Sequence, residues 1–302
     1  MRVLVTGATG FVGRRLVPAL LDAGHDVTAL VRDAARYDPP SGVRVVEGDL
    51  LEPGSFDPAL DVEAAYYLVH SMQASDDFAE RDRTAARNFA RAASEAGVER
   101  VVYLGGLGEE RDDLSPHLRS RREVEAVLRD GAYDLTTLRA AIIVGDGSAS
   151  FELVRQLATK LPVMVTPKWV QTPCQPIAID DVVAYLVGVL DAPETAGETY
   201  EIGGPEVLTY GEILSRTGRT LGQKPLLIRV PVLTPRLSAY WVELVTDVPR
   251  SVARPLIEGL KNPVVVNDDR IRDVVPVDRT PFDEAVRKAF SDRTDGEPAT
   301  AT

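Results

Sequence analysis

Apolar and polar positions follow two periods along the first half of the chain. Short continuous apolar runs predict strands at Val3–Thr6, Asp26–Val31, Val43–Glu47, Ala64–Val69, Val101–Leu104 and Leu135–Ile143. Between them, helical spacing predicts helices over Phe11–Ala23, Asp76–Ala96 and Pro116–Arg129, with a short one around Ser55–Leu60. Strands without polar alternation need cover on both faces, so this repetition predicts a parallel sheet between two helical layers. The right-handed crossover rule then favours a Rossmann-type doubly wound α/β fold.

The rhythm changes after Ser148. Prolines at 162, 167, 173 and 176 mark loops and close turns. A strand near Ile177–Ile179, the helical "DDVVAYLVGVL" and the strand-like "ETYEIGG" follow, and short helices rich in proline and arginine are expected beyond Lys224. The expected division is a Rossmann domain at 1–147 with a return segment near 177–203, then a smaller C-terminal α/β lobe at 148–290 for the substrate. The tail at 291–302 has little to bury and is expected to be disordered.

Composition narrows the function classes. The 302 residues are 44% hydrophobic, enough for a sizeable core, and carry a net charge of −12. Nucleic acid and anionic membranes favour basic faces and are disfavoured as partners. Five lysines leave 29 arginines among the 34 basic residues. An acid-rich, lysine-poor surface fits a halophile, whose salt screens self-repulsion; arginine codons of a GC-rich genome are the alternative explanation. Cys174 is the one cysteine, which excludes an internal disulfide. His25, His70 and His117 lack zinc-ligand spacing, so no metal site is expected. No apolar run approaches the roughly 20 residues that span a bilayer. "MRVLVTGATG" reads as a strand entering a turn rather than a signal peptide, and a soluble cytoplasmic protein is expected.

The strongest chemical signal is "VLVTGATGFVGRRLVPALLDAGHDVTALVR". It sets Gly7, Gly10 and Gly13 between a strand and a helix, with a second strand closing the unit. Gly7 permits the tight turn, Gly10 lets backbone approach a pyrophosphate, and Gly13 lets helix and strand pack closely. The amides of the helix N-terminus then face the phosphates.

This unit resembles the short-chain dehydrogenase/reductase superfamily, whose first turn is "TGxxGxxG". "VVEGDLLEP" and "AYYLVHSM" resemble the segments after the third strand and along the fourth. "QPIAIDDVVAYLVGVL" and "GETYEIGGPEVLTYGEI" resemble later segments of the extended and NmrA-like branches. The likeness covers roughly residues 1–225 and is greatest to atypical NmrA-like or nucleoside-diphosphate-sugar-epimerase-like NAD(P)-binding proteins. It implies that Gly7, Thr9, Gly10, Phe11, Val12 and Gly13 hold the dinucleotide. It further implies that Asp49 meets the adenine amino group beside Leu50, and that Val69 and His70 lie beside the ribose. Arg32 and Asp33 follow the second strand: an arginine there pairs with the 2′-phosphate of NADP, while an acid accepts from the 2′-hydroxyl of NAD. Arg32 comes first, so NADP(H) is favoured, with NAD(H) the alternative.

Active members place a tyrosine and a lysine four apart on the helix after the fifth strand, with a serine at that strand's end. Here Gly105 and Gly106 stand where the serine is expected, and His117 and Arg121 stand where tyrosine and lysine are expected. Histidine can act as an acid or base near neutral pH, whereas arginine can hold an oxygen but not donate a proton. His117 and Arg121 are therefore candidate catalytic residues. Ligand binding without chemistry, and a plain solvated face in which "RSRRE" pairs with Glu123 and Glu125, are the competing readings. The resemblance implies an oxidoreductase or epimerase-like enzyme acting on an unknown small molecule without the usual triad, or else a non-catalytic NADP(H) sensor, regulator or assembly factor. "ERDRTAARNFARAASEAG" reads as an amphipathic helix that is either a homodimer face or a salted surface. Tyr66, Tyr67 and Tyr103 read as core, and Trp169 as part of a loop that roofs a pocket or packs on the body. No GxSxG elbow occurs.

Overall fold

The computed structural model describes residues 1–70, 78–108, 115–161, 163–166, 168–229, 260 and 262–296. Seven parallel strands form the main sheet in the order β3-β2-β1-β4-β5-β6-β11. They are β1 (Arg2–Thr6), β2 (Asp26–Val31), β3 (Arg44–Glu47), β4 (Ala64–Tyr67), β5 (Arg100–Gly106), β6 (Asp134–Ala140) and β11 (Thr199–Ile202). The order reverses between β1 and β4, which opens a crevice at the carboxyl ends of those strands. The return segment, expected from "ETYEIGG", supplies the outer strand beside β6.

Both faces of the sheet are buried, as the unbroken apolar runs require. Val3, Val5 and Tyr66 enter one core with α1 (Gly13–Asp22) and α5 (Ile179–Asp191). Leu4, Tyr67 and Tyr103 enter a second core beneath α2 (Phe78–Glu95) and α3 (Pro116–Arg129). All three tyrosines are core residues, as expected. The Tyr66 hydroxyl donates to the Leu186 carbonyl at 2.8 Å, which ties β4 to α5. Arg100 is buried and donates to the carbonyls of Val189 at 2.6 Å and Leu190 at 3.3 Å. A guanidinium thus fills the place where the last carbonyls of α5 lack helical partners.

A third core gathers Phe151 and Val154 of α4 (Ala149–Lys160) with Tyr210 and Ile213 of α6 (Tyr210–Thr220). Val286, on the closing helix α8 (Phe282–Gly296), joins them. A short helix, α7 (Ile271–Val274), precedes α8.

Several elements differ from the sequence expectation. The run Leu135–Ile143 is not one strand: β6 ends at Ala140, and β7 (Ile143–Val144) pairs with β10 (Ile177–Ala178) instead. The apolar run continues through the bend because both pieces are buried, so hydrophobicity hides the break. The short helix near Ser55–Leu60 is one 3₁₀ turn, Asp57–Ala59, started by Pro58. Beyond Lys224 the first element is a strand, β13 (Leu226–Arg229), paired in parallel with β8 (Val163–Thr166), and the stretch 230–259, where short helices were expected, lies outside the described residues. Two further two-residue strands, β9 (Pro173–Cys174) and β12 (Leu208–Thr209), pair antiparallel. The closing helix runs through 291–296, where the disordered tail was expected to begin. Its buried Phe282, Ala285, Val286 and Ala289 anchor it at a three-to-four-residue spacing.

Candidate functional site

A cleft of about 720 Å³ opens at the carboxyl ends of the sheet. It is built first by the turn after β1. Gly7 has φ +68°, and a Cβ there would stand 3.0 Å from the Leu68 carbonyl oxygen. Gly13 is tighter, since a Cβ would stand 2.2 Å from the Gly7 carbonyl oxygen. Gly10 differs from both: its Cβ would meet only that same oxygen, at 3.1 Å, and otherwise face open space. So two glycines are required by the protein's own backbone, and the third keeps the floor of the cleft bare. Thr9, Phe11 and Val12 line the same turn. Thr6 closes the switch point, donating to the Tyr66 carbonyl at 3.0 Å while accepting from the Leu68 amide at 3.2 Å.

The remaining expected residues converge on this cleft from other strands. Arg32 enters it from the end of β2. Asp33 is occupied elsewhere: its Oδ1 accepts from the Ala35 amide at 3.1 Å and caps a 3₁₀ turn. Asp49 and Leu50 line the wall after β3, where Asp49 Oδ1 accepts from the Leu51 amide at 2.9 Å. Val69 and His70 line it after β4. His70 Nδ1 lies 2.7 Å from Oδ2 of the buried Asp82, and a carboxylate there assigns the ring proton to Nδ1. Burial, and then the nearby charge of Arg121, push the His70 pKa down to about 4 against the opposing pull of Asp82, so the ring is neutral at pH 7.

Arg121 also lines the cleft, beside Gly105 and Gly106 at the end of β5. The side chain of its partner in the motif, His117, lies outside the described residues, as does that of Trp169. "RSRRE" is not a simple solvated face. Arg122 donates to the Gly108 carbonyl, Glu123 pairs with Arg83 of α2, and Glu125 is buried against Arg139 of β6 at 2.7 Å. Arg122 also pairs with Glu125 on the same helix at 3.7 Å, as the solvated-face reading expected, but the other partners come from other elements, which helix-local spacing cannot reveal.

Other lining residues escape the sequence reading. Arg81 and Ala85 of α2 flank the wall, and Asn88, one turn on, donates to the Leu50 carbonyl at 2.8 Å. Ala140, Ala141 and Ser150 border the far end. Arg14 and Arg15 brace that end by donating to the Asp146 carbonyl at 2.7 and 2.9 Å. The one usable signal is the four-residue step from Arg81 to Ala85 on a predicted helix.

The site fits a dinucleotide: a bare backbone turn for phosphates, apolar walls and a cation at the second strand's end. The family model described as NAD(P)H-binding matches residues 7–172. The (4-alkanoyl-5-oxo-2,5-dihydrofuran-3-yl)methyl phosphate reductase of Streptomyces griseus is 32% identical over 231 residues, covering 73% of this chain and 74% of that one. The photosystem II assembly factor Ycf39 of Synechocystis is 27% identical over 240 residues, covering 77% and 71%. Among solved structures, a nucleoside-diphosphate-sugar epimerase from Staphylococcus aureus matches with a TM-score of 0.77 at 14% identity, over 95% of this chain and 100% of that one. That likeness is one of fold.

Proposed function

This chain belongs to the NAD(P)H-binding family, and from that premise we propose that it is an NADP(H)-dependent oxidoreductase of the short-chain dehydrogenase kind, working without the usual serine, tyrosine and lysine. The observation that carries the cofactor choice is the division of labour at the end of β2: Arg32 faces the cleft while Asp33 caps a turn. A free guanidinium suits a 2′-phosphate, and an occupied aspartate is poorly placed to read a 2′-hydroxyl. In this reading the Gly7–Gly13 turn, including Thr9, Phe11 and Val12, holds the pyrophosphate. Asp49 and Leu50 take the adenine, and Val69 and His70 border the ribose. When bound, the cofactor supplies or accepts a hydride. Residues 1–147 with 177–203 form the cofactor body, and 148–290 the substrate lobe.

His117 is the proposed acid or base, and Arg121 a positioning group that cannot itself donate a proton at neutral pH. Parallel titrations with NADPH and NADH, followed by nicotinamide fluorescence, test the cofactor assignment; tighter NADH binding would overturn it. A second reading, a non-catalytic NADP(H) sensor or assembly factor, is favoured by the glycines at 105 and 106, which supply no hydroxyl for a developing oxyanion. Complete failure to oxidise NADPH with aldehydes, ketones and quinones selects it. A cytoplasmic location and a homodimer through α2 belong to the same proposal. Among the described residues no helix is long and apolar enough to cross a membrane. The salt-adapted reading is tested by dialysis against salt-free buffer, where unchanged stability would remove it.

A further inference from the structure

Among the described residues, the carboxylates nearest Arg121 on its own helix are committed elsewhere. On its own helix, Glu123 pairs with Arg83, and Glu125 is held by Arg139 at 2.7 Å and Arg129 at 3.1 Å. The histidine beside it is neutral, with its Nδ1 turned to Asp82. The Arg121 backbone carbonyl accepts from the Tyr103 hydroxyl at 3.1 Å, which fixes the root of the side chain. Its guanidinium makes no ion pair or hydrogen bond within the described residues, yet it lines the cleft and is partly buried.

The space beside it is kept clear. A Cβ at Gly106 would stand 2.9 Å from Leu118 Cδ2 and in ordinary contact, at 4.0 Å, with Arg121 Cγ, so the bare backbone at 106 leaves room beside the stem of this arginine. The charge of the cleft points the same way. Its described lining carries Arg32, Arg81 and Arg121 against one carboxylate, Asp49, in a chain of net charge −12. An excess of cations in so acidic a protein marks a place where anions are bound. Arg32 stands at the end of β2, whereas Arg121 stands by the end of β5, three strands away across β1 and β4. The 2′-phosphate assigned to Arg32 therefore leaves Arg121 without a partner among the described residues.

We propose that Arg121 is a substrate-specificity residue whose guanidinium pairs with an anionic group on the substrate, a carboxylate or a phosphate ester presenting two acceptor oxygens. A guanidinium offers two parallel N–H donors to such a group, which an ammonium cannot match. The pair also anchors the substrate away from its reacting carbon, without a proton from arginine. This inference rests on the cofactor reading above.

The test uses the full chain saturated with NADPH, so that the cofactor's own phosphates are already in place. Inorganic phosphate and acetate are titrated separately at constant ionic strength, with bound-nicotinamide fluorescence and the thermal midpoint as readouts. The expected result is saturable binding of at least one anion, weakened about ten- to a hundredfold in Arg121→Gln. Tighter phosphate assigns a phosphate ester, and tighter acetate a carboxylate. Arg121→Lys, which keeps the charge and loses the fork, should fall between; it also serves if the glutamine variant does not fold. Anion binding that is absent, or equal in wild type and variants, overturns the proposal while leaving the cofactor reading intact. Failure to bind NADPH at all removes both.

Discussion

His70 Nδ1 and Asp82 Oδ2 stand 2.7 Å apart, joining the end of the fourth strand to the helix that crosses behind it. The imidazole is depressed to about 4 from its usual 6.5, chiefly by burial. A depressed value means the unfolded chain binds the proton more readily than the folded one. The neutral ring therefore stabilises the fold above pH 6.5, and that contribution is lost as pH falls from 6.5 towards 4. It amounts to at most about 3 kcal/mol. His70→Gln should flatten the dependence of the denaturant midpoint on pH across this window. A variant with the wild-type slope would show that other groups, Asp82 first among them, carry the acid sensitivity.

The glycine turn separates folding from binding. Gly13→Ala forces a carbon into the Gly7 carbonyl, so helix and turn must part, at a cost of about 1–3 kcal/mol. Gly10→Val meets little protein and should fold, but its side chain enters the space proposed for the pyrophosphate. Thermal melts should place Gly10→Val near wild type and Gly13→Ala below it. Calorimetry should find no NADPH binding by Gly10→Val; undiminished affinity there refutes the cofactor site.

This contrast shows what the chain discloses locally. The glycine spacing and the unbroken strands are short-range properties, and they led to the turn, the sheet and the crevice. Arg100, Asp82 and Glu125 look like ordinary polar residues in the sequence. Their burial depends on partners 89, 12 and 14 positions away that only the assembled sheet supplies. The pairing of β8 with β13 spans more than sixty residues for the same reason. Arg32 and Arg121 were legible as candidates from their places after β2 and β5. That Asp33 turns aside, and that Arg121 keeps no partner among the described side chains of its own helix, are facts of packing.

Arg100 tests that point. Its buried guanidinium donates to the Leu190 carbonyl and shares the Val189 carbonyl with the Thr195 hydroxyl, so Arg100→Leu should leave Leu190 without this donor and cost about 1.5–3 kcal/mol. Urea denaturation measures the loss. A cost under about 1 kcal/mol would mean that water replaces the guanidinium.

Arg32→Ala should weaken NADPH more than NADH, because only NADPH carries the 2′-phosphate. The lost charge-assisted contact should cost roughly 1.5–3 kcal/mol, or about one to two orders of magnitude in affinity. Paired titrations give the ratio. Equal losses for both cofactors would move phosphate recognition to another arginine lining the cleft, such as Arg81.

The last prediction concerns the missing triad. If His117 is the acid, its replacement by alanine should slow NADPH oxidation by about 10²–10⁴ and remove a titration near 6.5 from the rate profile. Restoring the usual groups should do the reverse. His117→Tyr and Arg121→Lys supply two of them, and the serine is better placed at 106 than at 105. A Cβ at 106 meets the end of the flexible Leu118 side chain at 2.9 Å, whereas one at 105 meets the Tyr103 ring at 3.1 Å, and that ring is locked in the core. The triple variant should gain reductase activity toward small carbonyl compounds, since tyrosine can then donate the proton and lysine lower its pKa. Wild type and variant are compared by NADPH oxidation over a panel of aldehydes, ketones and quinones. Brisk wild-type turnover that persists in His117→Ala would place the proton donor elsewhere. Tyr103 does not qualify, because its hydroxyl is held by the Arg121 carbonyl and burial raises its pKa. A water or a group on the substrate would then be left to deliver the proton.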